Sequence, residues 1–270
     1  MKQSNLIPVL WLFTTDKKIR MRIELFYFLF PLAFWITPDD GWLGSRGGSI
    51  FPIIRNENIR MIKEEIYINI RSQDSVNVSC KFWFKNETKK PQTNIYMGFP
   101  DAYDDEPGKV SDSQPIKHFT CKINGIKKEV KKEVQNQDFR KDTSTIYYPA
   151  WYCWHADFKP GETIIIENAY TGELGGDVSG SLWFSYIIGT ANTWHNSIGQ
   201  GKVVYKYSNM IAKYNCNAEV DDHDSDGLRK GMSVTSSKDS SVFLFKDYRP
   251  KNYEELRVFF FPKRKDIKKD

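Results

Sequence analysis

The chain is short of most of the residue patterns that point directly at a chemistry. Its four cysteines, Cys80, Cys121, Cys153 and Cys216, show no CxxC spacing, which excludes a zinc knuckle or a thioredoxin-type redox pair. Its four histidines, His118, His155, His195 and His223, are too few and too scattered for a histidine metal cluster. The net charge of +5 is small for 270 residues, and no basic module stands out, so nucleic acid is not an expected partner. Part of that excess lies in residues 263–270, which read as a solvated basic tail. No segment carries the periodicity of an amphipathic helix, and no apolar run is long enough to span a bilayer.

The longest apolar run, Leu25 to Ile36, has the length of a signal-peptide core and follows Arg22. Residues 1–43 therefore read as a leader whose true start is Met21, and the protein is expected to be exported, to the envelope or beyond. An uncleaved leader would be its only membrane attachment.

Aromatic residues are plentiful, at 15% of the chain, and suit half-buried strands. Ile66, Ile68 and Ile70 fall on one side of an extended segment. Val76, Val78, Cys80, Phe82 and Phe84 repeat the pattern after a turn at Ser72-Gln73-Asp74-Ser75. Asn124-Gly125 is a two-residue hairpin signal, followed by lysines 127, 128, 131 and 132 that can protect an exposed edge. Lys159-Pro160-Gly161 reverses the chain between Trp151–Phe158 and the isoleucine strand that leads to Tyr170. An echo of that order, aromatic, basic residue, proline, acid, apolar strand, recurs from Phe245 to Phe261. These patterns predict an all-β, antiparallel β-sandwich in two units, residues 44–173 and 174–262, with the glycine-rich stretch after Tyr170 between them.

Several of these segments together resemble a family of uncharacterised exported bacterial proteins, a domain of unknown function. The likeness rests on Ile59-Arg60-Met61, Phe82 to Asn86, Met97 to Asp101, Trp154 to Thr163, Phe184 to Ile187 and Trp194 to Gly199, and covers roughly residues 44–262. It implies an immunoglobulin-like extracytoplasmic protein and carries over no catalytic residue.

Two acidic runs and one thiol are the candidate chemistry. Asp222, Asp224 and Asp226 match positions one, three and five of a calcium loop, with Gly227 at the sharp turn and the Leu228 carbonyl as a further ligand. Lys230 and Ser233 stand where later ligands belong, so the choice lies between a weak calcium site and an acidic surface loop. Asp101 to Glu106, between prolines, reads as a solvated loop; with Asp221 to Asp226 it offers the carboxylates that a glycosidase-like hydrolase would need. Cys153 and His155 share strand parity, but a nucleophile also needs an orienting group and an oxyanion hole. The leading expectation is a non-enzymatic module that binds a protein or glycan partner through loops or exposed aromatics such as Trp183 and Trp194.

Overall fold

The computed structural model describes residues 47–53, 56–101, 116–134, 150–221, 230–252 and 254–263. Among the described residues seventeen strands run β1 (Gly47–Gly48), β2 (Phe51–Pro52), β3 (Ile59–Ser72), β4 (Ser75–Asn86), β5 (Gln92–Asp101), β6 (Lys117–Ile123), β7 (Ile126–Lys128), β8 (Lys131–Val134), β9 (Ala150–Phe158), β10 (Thr163–Gly172), β11 (Gly175–Gly176), β12 (Leu182–Ile187), β13 (Ile198–Lys206), β14 (Tyr214–Asp221), β15 (Met232–Ser236), β16 (Ser240–Tyr248) and β17 (Glu255–Pro262). A 3₁₀ turn at Gly189–Thr193 is the only helical element among the described residues. The expected all-β sandwich is what forms.

One sheet has eight strands in the order β15-β16-β13-β3-β4-β10-β6-β7, a second has β2-β5-β9-β8, and the third has β1-β12-β17-β14 with β11 also on β12. Pairing is antiparallel except for β13 on β3 and β1 on β12. The eight-stranded sheet packs against both of the others. Tyr205 meets Phe184 and Tyr207 meets Phe260 on one side, while Phe119 meets Phe99 and Trp154 on the other. Strands from both sides of residue 173 share the eight-stranded sheet, and one apolar cluster runs through all of it. Each large side chain buried there contributes on the order of 2 kcal/mol.

The registers explain why alternation was such a strong signal. One row across the sheet, Val234-Phe243-Val203-Ile66-Cys80-Asn168-Cys121, faces inward and is apolar except at Asn168. The next row, Leu244-Lys202-Glu65-Lys81-Glu167-Lys122-Lys127, faces outward and alternates in sign until the two lysines at the edge. Like charges opposite one another at an edge disfavour pairing with a further strand.

Both proline corners change sheet. The Lys159–Glu162 turn passes from β9 in the four-stranded sheet to β10 in the eight-stranded one, so Trp151 to Tyr170 is an arch and not a hairpin. Gly161 supplies the positive φ of 68° that the turn requires. The echo at Pro250 passes from β16 to β17. The two corners share their wiring: Lys159 N–H donates to the Glu162 carboxylate at 2.7 Å and Lys251 N–H to that of Glu254 at 2.8 Å. In each, the glutamate N–H returns to the carbonyl three residues back. The repeated order of residues is thus a repeated way of crossing the interior.

The first described residues tie the three sheets together. Gly47-Gly48 pairs with β12, Phe51-Pro52 pairs with β5, and Ser49 between them donates to Glu64 of β3 at 2.7 Å.

Candidate functional site: the outer face of β12, β17 and β14

On β17 the inward positions Leu256, Val258 and Phe260 are fully buried, which turns Arg257, Phe259 and Phe261 outward. Trp183 of β12 lies directly opposite Phe259, with Asn217 of β14 on its other side, and Asn215 lies opposite Phe261. Ring centroids are 6.3 Å apart for Trp183 and Phe259, and 5.9 Å for Phe259 and Phe261, whose planes are within 13° of each other. Phe261 is 45% exposed. The result is a strip of three rings bordered by two exposed amides.

At the end of the strip Arg257 is fixed from three directions. It donates from Nε to the Ser185 hydroxyl at 2.8 Å, and its guanidinium meets Asp221 at 2.9 Å and Glu255 at 3.1 Å. The guanidinium carbon also stands 5.5 Å from the Phe259 ring centroid. A planar fork held in this way presents a rigid polar edge beside the rings.

The residues singled out from sequence are distributed as follows. Trp183 belongs to the strip, on the β12 side of Phe259. Trp194, expected to be exposed with it, is instead core: it is 3% exposed, packs on Phe84 with ring centroids 4.7 Å apart and donates Nε1–H to the Ile50 carbonyl at 2.5 Å. The stretch after the 3₁₀ turn folds inward, so its indole finds a partner inside. Asp101 is no solvated loop residue. It ends β5 almost wholly buried and pairs with Lys132 at 2.6 Å; burial pushes its carboxyl above the ordinary aspartate range while Lys132 pulls it back. The rest of that run, residues 102–106, and the calcium-loop candidates Asp222, Asp224, Asp226 and Leu228 lie outside the described residues. The described ends of the two acidic runs, Asp101 and Asp221, are on different sheets, each in its own ion pair.

Cys153 is buried and its thiol is pushed up to about 12 by that burial, while His155 is exposed and stacks on Tyr96 at 4.5 Å. Such a thiol stays protonated, the opposite of an activated nucleophile. Cys80 and Cys121 are free thiols lying in one row with β10 between them. Two strand spacings, about 9.6 Å, exceed what a disulfide can bridge.

Phe259 and Phe261 escaped the sequence reading. In the run Arg257-Val258-Phe259-Phe260-Phe261 the signal was Arg257: its charge marks the odd positions as the outward ones.

Residues 40–148 match a family described as a domain of unknown function (DUF4424). Over that segment the chain is similar to this uncharacterised family. The match ends before β9, so the aromatic strip, which belongs to β12, β14 and β17, lies beyond the DUF4424 segment. Among solved structures the chain is similar to a "putative nutrient binding protein" of Legionella pneumophila subsp. pneumophila str. Philadelphia 1, with 22% identity, a TM-score of 0.61, and coverage of 82% of this chain and 72% of that one. That likeness is one of fold. An M1 zinc metallopeptidase of Deinococcus radiodurans also matches, at 12% identity and a TM-score of 0.37 over 77% of this chain and 44% of that enzyme. No curated protein matches the chain. No helix among the described residues is long and apolar enough to cross a membrane, and none of their His, Cys, Asp and Glu side chains form a group of three suited to a metal ion.

Proposed function

We propose that this protein is an exported, non-enzymatic module that binds a glycan on the outer face of β12, β17 and β14. The observation that carries the reading is the strip Trp183-Phe259-Phe261, with Asn215 and Asn217 beside it and Arg257 fixed at its end. A pyranose ring offers C–H groups on its faces and hydroxyls around its rim. Flat rings receive the first, and amides and a guanidinium receive the second. The description of the Legionella protein of the same fold as nutrient-binding is in keeping with a binding role. Export rests on the apolar stretch Leu25 to Ile36 behind Arg22.

Screening the purified chain against an array of bacterial and host glycans, followed by calorimetry with any hit, tests the binding role. Trp183→Ala should weaken that binding at least about tenfold, or ~1.4 kcal/mol. A chain that captures proteins but no glycan would overturn the reading. Fractionation of producing cells tests the address: cytoplasmic recovery with an intact leader would overturn export.

A further inference from the structure

Glu64 interrupts the otherwise apolar inner face of β3. A bulge between Met61 and Lys63 shifts the parity of the strand, so Glu64 points inward with no exposure at all. One carboxylate oxygen accepts from Ser49; the other, Oε1, has no hydrogen-bonding partner. Around it stand Cys80 of β4, Tyr186 of β12 and, next to Tyr186, Tyr170 of β10, whose hydroxyl also lacks a partner. These are the titratable groups facing Glu64 among the described residues, and no lysine, arginine or histidine is among them. The segment carrying Ser49 covers this cluster closely. A Cβ on Gly47 would collide with the Tyr170 hydroxyl, so only glycine fits there. Thr190 Oγ1 holds the Ser49 carbonyl at 2.6 Å, and Trp194 holds the Ile50 carbonyl.

We propose that Glu64 is a proton-dependent clasp on the strap Gly47–Ile53: protonated, it seals the strap over the interior; ionised, it favours the strap's release from β12 and β5, which lets water reach the carboxylate. A buried charge with a single hydroxyl donor is costly, and moving the strap aside is the shortest route to solvating it. Burial raises the Glu64 carboxyl from 4.5 to about 7, against the opposing effect of Ser49, so release becomes easier as pH rises from the ordinary carboxyl range to about 7 and levels off above it. Cys80, Tyr170 and Tyr186 are pushed upward by burial and stay neutral throughout, which leaves Glu64 as the group that titrates. The strap carries the chain from residue 46 into the fold, so its release would loosen that entry.

The test is amide hydrogen exchange of Gly48, Ser49, Ile50, Phe51 and Ile53 as a function of pH, read as protection factors so that the intrinsic pH dependence is removed. In the unaltered protein protection should fall roughly tenfold between about pH 6 and about pH 8.5, as linkage requires for such a group, and the middle strands of the eight-stranded sheet should not follow. Glu64→Gln should hold strap protection constant over the same range. A direct titration of the Glu64 carboxyl in the unaltered protein by carbon NMR keeps the proposal testable if that variant does not fold; its midpoint should be near 7. Strap protection independent of pH, the same fall in Glu64→Gln, or a midpoint in the ordinary glutamate range would overturn it.

Discussion

The outward faces of two sheets in this molecule handle their side chains in opposite ways. On the eight-stranded sheet, Lys63 pairs with Glu65 at 2.7 Å and Lys81 with Glu167 at 3.1 Å, and the ammonium groups of Lys63 and Lys81 stand 4.5 and 5.5 Å from the centroid of Trp83. Every charge in the middle of that row has an opposite neighbour, and Trp83 is roofed by lysines. On the sheet of β12, β17 and β14 the charged groups are gathered at one end around Arg257, whose guanidinium reaches only the Phe259 ring; Trp183 and Phe259 are half-buried and Phe261 is exposed, with exposed amides beside them. A face that satisfies itself offers little to a ligand. A face that leaves flat apolar area next to directed polar groups is what recognition requires. The presence of a tryptophan therefore says less than what lies over it.

That contrast can be broken most severely at Trp194, which shares its residue type with Trp183 and nothing else. Trp194→Ala should cost about 3–5 kcal/mol of stability, as for other large core truncations, and lower the melting temperature accordingly; Trp183→Ala should change stability far less. Next in size is the pair of strip variants. Phe259→Ala together with Trp183→Ala should remove measurable glycan binding in calorimetry while denaturant unfolding remains cooperative. Arg257→Ala comes third. It removes the cation that Asp221 and Glu255, both mostly shielded, share, and should destabilise by about 1–3 kcal/mol in urea melts, besides weakening binding. The smallest effect belongs to the charged row: Lys81→Ala breaks a half-exposed pair and should move stability by less than ~1 kcal/mol, more at low salt than at high, with binding untouched.

The parts of the fold legible in the sequence were those where the two-residue period runs unbroken. Ile66, Ile68 and Ile70, and Val76 to Phe84 at alternate positions, are all inward, and Asn124 and Gly125 take the positive φ values, 50° and 80°, of a tight hairpin turn. Local pattern does not say which strand a strand will meet. The arch at Pro160 and the pairing of β13 with β3 depend on contacts far apart in the chain, and so does the burial of Trp194. Glu64 was hidden for a different reason: it shares the parity of Ile66, Ile68 and Ile70, and its charge alone argued for the surface. At the candidate site Trp183 was visible as an aromatic expected to be exposed. Its partners Phe259 and Phe261 were not, because Phe260 between them is core and the three phenylalanines read as one apolar run.

The most direct measurement is a side-by-side titration of one glycan hit against the unaltered chain, Phe259→Ala on the open strip, and Lys81→Ala on the self-paired face. Loss of at least about tenfold in affinity for Phe259→Ala, with Lys81→Ala indistinguishable from the unaltered chain, is the predicted result. Equal affinity for Phe259→Ala and the unaltered chain, or a loss confined to Lys81→Ala, would contradict the assignment of the ligand to the aromatic face.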